Sequence, residues 1–200
     1  MNRNLLIKLT LAGVGSCLLV IVGSFFTDPP KMTEPDPALM FNPSGNFTLT
    51  GTSGEPFQLQ DLRGKIVLLF FGYTSCPDAC PSTLAKLQRA FNLLSKEQIE
   101  QVRTVFVSVD PKRDNPKVLN EYVEYFGVNA IGLTGTKAEI DKVVKAYHAH
   151  YMVIPGQTSN WYSINHTTTV FLHDKQGKVR YRFLYEETPE QLAEAIRKYL

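Results

Sequence analysis

The sequence predicts an α/β domain with a central mixed sheet flanked by helices. Three observations carry that expectation. The run Ile66–Phe71 is apolar throughout and ends at Gly72, the pattern of a parallel-sheet strand buried on both faces. Strand-like runs alternate with segments whose apolar residues recur at helical spacing, the first being Leu84, Leu87, Phe91 and Leu94. Near the C-terminus Thr167–Leu172 and Val179–Leu184 read as strands joined by the turn Asp174-Lys-Gln-Gly177, which adds an antiparallel edge.

Taken in order, the chain opens with Arg3 and Lys8, and from Leu9 to Phe26 no residue is charged. A stretch of roughly 17 to 25 such residues is what a membrane helix needs, and basic residues on its N-terminal side place everything after it outside the cytoplasm. Residues 1–27 therefore read as a single transmembrane anchor, with the domain extracytoplasmic, in the periplasm if the source is bacterial. A cleaved signal peptide is the alternative. Val14-Gly-Ser-Cys17 loosely resembles a lipoprotein signal, but the apolar run continues for nine residues past Cys17 instead of turning polar. Residues 28–43 contain five prolines and few bulky side chains, the composition of an extended spacer. Residues 44–200 remain as the folded domain.

Within that domain Phe47–Thr50 and Pro56–Leu59 read as a hairpin, and Asp61-Leu-Arg-Gly-Lys65 as the turn into the apolar strand. A helix is expected from about Pro81 to Leu94, and a second strand over Val102–Val109. Asn115 caps a helix whose first residue is Pro116. Ala130–Leu133 is a short strand, and Thr136 with Glu139 makes a capping box for a helix bearing Ile140, Val143, Val144 and Tyr147. Tyr151–Ser163, with Pro155, Gly156 and several polar residues, reads as an inserted loop. Thr188 and Gln191 box the last helix, which opens at Pro189 and buries Leu192, Ala195, Ile196 and Tyr199. This element order is that of a thioredoxin-like, peroxiredoxin-related domain with an N-terminal hairpin extension.

Composition excludes some functions. Twenty-one basic and 19 acidic side chains leave a net charge of +2, which provides no electrostatic footprint for nucleic acid. With Cys17 in the apolar segment, Cys76 and Cys80 are the only thiols of the domain. They follow a central strand and precede a helix, the usual address of a ligand in an open α/β sheet. Pro81 disfavours helical geometry at Cys80, so both thiols are expected in or beside the loop, where the helix dipole favours thiolate. Three residues separate them, a looser spacer than Cys-x-x-Cys. The pair can close to a disulfide bond of about 2 Å or open around a soft metal. A purely structural disulfide is the plainer reading, but a domain with this much apolar strand and helix does not need one.

Of the four histidines, His148 and His150 read as surface residues at a helix end, and His173 follows a strand at a turn. His166 stands where thioredoxin-like oxidoreductases place a cis-proline, and no proline lies between Pro155 and Pro189. Two sulfurs and one imidazole suit copper: Cu(I) accepts a trigonal set, and Cu(II) adds a weak fourth ligand. Structural zinc is normally closed by four protein ligands, and iron–sulfur clusters draw on more cysteines.

Phe71-Gly-Tyr-Thr-Ser-Cys-Pro-Asp-Ala-Cys-Pro81, Val107-Ser-Val-Asp-Pro-Lys-Arg-Asp114 and the strand at His166 closely resemble the Sco/SenC family, from about Phe47 to the C-terminus. The resemblance implies a membrane-anchored, thioredoxin-like copper metallochaperone that assists assembly of the dinuclear copper A centre of cytochrome c oxidase. It implies Cys76, Cys80 and His166 as copper ligands, with Asp78 and Asp110 as supporting acids near the site. The implied partners are the oxidase subunit bearing copper A and, beyond it, other copper chaperones or thiol reductases. The family often has Asp before the histidine, whereas this chain has Asn165. Two further readings stay open: a thiol–disulfide reductase in which Cys76 attacks and Cys80 resolves, and a copper or redox sensor. Asp110-Pro111 also reads as an ordinary turn after a strand.

Overall fold

A computed structural model of the chain describes residues 46–156 and 161–200. The anchor and spacer expected over residues 1–43 lie outside the described residues, and among those described no helix is long and apolar enough to cross a membrane.

A seven-stranded mixed sheet has the order β2-β1-β5-β4-β3-β8-β9. Its strands are β1 (Thr48–Gly51), β2 (Pro56–Gln58), β3 (Ile66–Gly72), β4 (Val102–Ser108), β5 (Ala130–Thr134), β8 (Val170–His173) and β9 (Val179–Phe183). β3 lies in the sheet interior beside the central β4, fully buried, parallel to β4 and antiparallel to β8. β4 and β5 are also parallel, while β8–β9 form the antiparallel edge that the sequence predicts. Helices α1 (Ala79–Phe91), α2 (Lys96–Glu100), α3 (Pro116–Phe126), α4 (Lys137–Ala146) and α5 (Pro189–Tyr199) complete the domain.

The capping signals act as the sequence predicts. Asn115 accepts from Val118 N with Pro116 first in α3, and the boxes Thr136/Glu139 and Thr188/Gln191 close the starts of α4 and α5. The pattern did not anticipate α2, whose own box is Ser95/Gln98. Three expectations are corrected. α1 begins at Ala79 and not at Pro81, so Cys80 sits inside its first turn; a proline in that turn forfeits only an N–H that has no intrahelical partner there. Tyr151–Ser163 is not a structureless loop. Tyr151–Pro155 forms β6 and pairs antiparallel with β7 (Tyr162–His166), from Tyr151↔His166 to Pro155↔Tyr162, because the β-branched and aromatic run Tyr-Met-Val-Ile outweighs the breakers that follow it. His166 thus ends β7 and does not directly precede β8, which starts at Val170.

His173, at the end of β8, is fully buried and explains itself by its partners. Gly177 O can only accept, so His173 Nδ1 donates to it at 3.3 Å and the neutral ring accepts from Tyr147 OH through Nε2 at 3.1 Å. Burial holds its pKa down, from 6.5 to about 4. The unfolded chain takes up a proton near pH 6.5 that the folded ring refuses. Stability tied to this group is therefore complete above pH 6.5, falls as the pH drops, and is gone by about pH 4. That interval corresponds to about 3 kcal/mol. Urea unfolding of the wild type between pH 7 and 4 is expected to show the loss, and His173→Gln is expected to flatten that part of the profile; identical slopes for both would contradict the assignment.

Candidate metal centre

The site forms where β3 ends. Val109 N donates to Gly72 O at 2.8 Å, tying the ends of β3 and β4 together, and the chain then turns through Tyr73–Asp78 into α1. Gly72 is required by close approach: a Cβ there would lie 2.7 Å from Cys80 Sγ and 2.7 Å from Phe106 Cε2. Cys76 sits on the loop, partly exposed, and Cys80 in the first turn of α1 is 0% exposed.

β7 delivers His166 from the other side, 7% exposed. Its Nε2 lies 3.4 Å from Cys80 Sγ and 3.9 Å from Cys76 Sγ, and the three donor atoms all fall within 4.8 Å of one another. Metal–sulfur and metal–nitrogen bonds of roughly 2.3 and 2.0 Å, as in zinc sites, put S and N on one ion about 3.5 to 3.7 Å apart at angles from tetrahedral to trigonal, between the two observed separations. The donor set fits a single soft ion. The imidazole is oriented for it, because Nδ1 donates to Thr167 O at 3.0 Å and leaves the Nε2 lone pair facing the sulfurs. Phe70 and Tyr73 meet the ring edge-on, with centroids 6.2 and 5.7 Å away, and wall it from solvent. No cis peptide occurs among the described residues, so the site has no cis-proline clamp.

The two thiols differ sharply. Hydrogen bonding from Cys80 lowers the pKa of Cys76, helped by the backbone N–H groups of Cys80 and Asp78, and outweighs partial burial. Cys80 is pushed the other way by burial and by the negative charge of Cys76. At neutral pH the pair is a Cys76 thiolate beside a Cys80 thiol, a hydrogen-bonded arrangement from which a binding metal would displace one further proton into solvent.

The acids are placed differently from each other. Asp78 is exposed; its carboxylate accepts from Ser82 Oγ at 3.2 Å, and it is the backbone of Asp78 that serves Cys76. Asp110 is buried, pairs with Arg113, and accepts from Tyr162 OH at 2.6 Å. Sequence reasoning missed Tyr73, Arg113, Asp114 and Tyr162. Tyr73, Arg113 and Asp114 lie inside the two family-like segments but drew no role from them; locally, Lys112-Arg113-Asp114 after an apolar strand reads equally well as a solvated turn, and Tyr162 carries no motif.

Fold and donor set together define a thioredoxin-like protein with a Cys₂His soft-metal centre. The SCO1/SenC family profile matches residues 36–200, and the chain belongs to that family. An SCO2-like protein of Rickettsia felis is 35% identical over 154 residues, covering 76% of this chain and 75% of its own. The human mitochondrial protein SCO1 homolog is 32% identical over 153 residues, covering 76% of this chain and 51% of its own. Among solved structures, copper-bound ScoI of Bradyrhizobium japonicum superposes with a TM-score of 0.70 at 34% identity, covering 77% of this chain and 97% of that one. Copper-bound yeast Sco1 superposes with a TM-score of 0.69 at 30% identity, covering 76% and 85%.

Proposed function

We propose that this protein is a copper metallochaperone that carries one copper ion on Cys76, Cys80 and His166 and delivers it to the dinuclear copper A centre of a cytochrome c oxidase subunit. Its domain works outside the cytoplasm, tethered by the N-terminal segment. The observation that carries the reading is the convergence of the three donor atoms within 4.8 Å with only Cys76 partly open to solvent. Relatives solved with copper bound support the choice of cargo.

Exposure sets the order of exchange. An acceptor's thiolates reach the cargo from the Cys76 side, because Cys80 is closed off by Gly72 and Phe106 and His166 by Phe70 and Tyr73. Cys76 is therefore displaced first, and Cys80 and His166 release last. No catalytic base is needed, only successive replacement of one sulfur donor by another.

The thiolate–thiol asymmetry favours a second activity at the same residues. Cys76 S⁻ attacks one sulfur of a partner disulfide, forms a mixed disulfide and expels the partner's other sulfur as thiolate. Once Cys76 is uncharged, its negative charge no longer adds to burial in opposing ionisation of Cys80. Cys80 then loses its proton to solvent and attacks Cys76, releasing the second partner thiolate and leaving a Cys76–Cys80 disulfide. Reduction of the oxidase's copper-ligand cysteines would serve the same assembly step.

The test is direct transfer. The domain loaded with Cu(I) is mixed with the reduced, copper-free soluble domain of the oxidase subunit, and copper in each partner is measured after separation. Passage of copper to the acceptor is expected. Retention by the donor at equilibrium, with reduction of the oxidised acceptor intact, would favour the reductase instead.

A further inference from the structure

Main-chain pairing fixes the cysteine side of the centre but not the histidine side. β3 and β4 are laddered along seven residue pairs, whereas β6–β7 form a separate two-stranded sheet. Something other than the main sheet's ladder must hold His166 at its distance from the thiols.

We propose that the loop from Val109 to Asn115 is a brace that sets this distance, with Asp114 holding the cysteine loop and Arg113 holding the histidine hairpin. The inference rests on the metal-binding reading of the site. Asp114 is 0% exposed and accepts three hydrogen bonds: from Thr74 N at 2.9 Å, from Thr74 Oγ1 at 2.6 Å and from Ser108 Oγ at 2.6 Å. Thr74 stands two residues before Cys76, so this carboxylate anchors the start of the thiol-bearing turn.

One residue earlier, Arg113 points to the other half of the site. Its Nη1 donates to Tyr162 O at 3.0 Å, and its guanidinium lies 3.8 Å from the centre of the Tyr162 ring and 5.5 Å from that of Tyr73. Asp110 fixes the guanidinium through Nε and accepts from Tyr162 OH at 2.6 Å. Tyr162 is the first residue of β7 and His166 the last. Tyr73, just before Thr74, accepts from Ile164 N through its hydroxyl at 3.2 Å, a second tie to the same strand.

The brace is itself rigid. Arg113 N and Asp114 N both donate to Asp110 O, at 3.1 and 2.9 Å, and Asp110 N donates to Ser108 Oγ at 3.0 Å. Adjacent side chains on one fixed turn thus reach the two halves of the centre. Arg113 and Asp114 are positioning residues that touch no donor atom.

Arg113→Gln removes the fork and the stacking but keeps a polar chain; Arg113→Lys keeps the charge without the fork. Asp174→Asn is the control, since Asp174 is also a buried carboxylate held by backbone N–H groups and an arginine, in the β8–β9 turn. Loss of partners that orient ligands typically costs roughly 10- to 100-fold in metal affinity. Both Arg113 variants are expected to lose that much Cu(I) affinity in chelator competition, and to lose the apo-state NOE between the His166 ring and the Cys76 β-protons. Asp174→Asn is expected to lower the melting temperature comparably while keeping affinity and NOE. Unchanged affinity and NOE in the Arg113 variants, or an equal affinity loss in the control, would overturn the brace. If Arg113→Gln does not fold, Tyr162→Phe, which deletes only the hydroxyl bond to Asp110, is read in the same way. A wild type that binds no Cu(I) would remove the metal-binding reading, while the NOE still decides the brace.

Discussion

His166→Ala is expected to lower Cu(I) affinity by more than about a hundredfold, because it removes a donor outright where loss of an orienting partner already costs 10- to 100-fold. Reduction of a small disulfide by the same variant is expected to stay within a few-fold of wild type. The two activities separate here because the imidazole supplies one of three donors to the ion, whereas disulfide exchange needs only two sulfurs. Nδ1 is committed to Thr167 O, so the effect belongs to Nε2, which faces both sulfurs. Chelator competition for Cu(I) and the rate of thiol release from a model disulfide check the two arms. Equal losses in both would show that the histidine serves the thiol pair in general and would remove its specific part in metal binding.

Gly72→Ala is expected to damage the site without touching a donor. The added methyl would sit 2.7 Å from Cys80 Sγ and 2.7 Å from Phe106 Cε2, both 0% exposed, so neither can move into free space. Overpacking of this kind costs about 1–3 kcal/mol. The midpoint of thermal unfolding should fall by several degrees, and Cu(I) affinity should fall with it as Cys80 Sγ shifts from its place 3.4 Å from His166 Nε2. Phe106→Leu in the same background opens space on one side and is expected to restore part of both. A melting curve and a Cu(I) titration that match wild type would mean that the closeness at Gly72 is slack.

Much of this molecule is legible in local sequence. The buried run Ile66–Phe71, the Asn115 cap and the boxes at Thr136 and Thr188 are signals written within a few residues, and the structure uses each of them. The cysteine pair and His166 were legible because chemistry narrows the choice: few side chains bind soft ions. The β6–β7 hairpin was not legible, since Pro155 and Gly156 are loop formers and the pairing that outweighs them is visible only in register. Asp114 and Arg113 were not legible either. Their partners Thr74 and Tyr162 lie 40 residues back and 49 residues on, and nothing in a charged turn announces contacts at that range.

The distance along the chain between the donors has a thermodynamic consequence. His166 is 90 residues from Cys76 and 86 from Cys80, so only the folded polypeptide offers all three atoms together. An ion held by all of them acts as a removable cross-link over that long loop, and its binding free energy adds to the stability of the native state. Losing the ion therefore unfastens the protein: the empty molecule is the softer of the two.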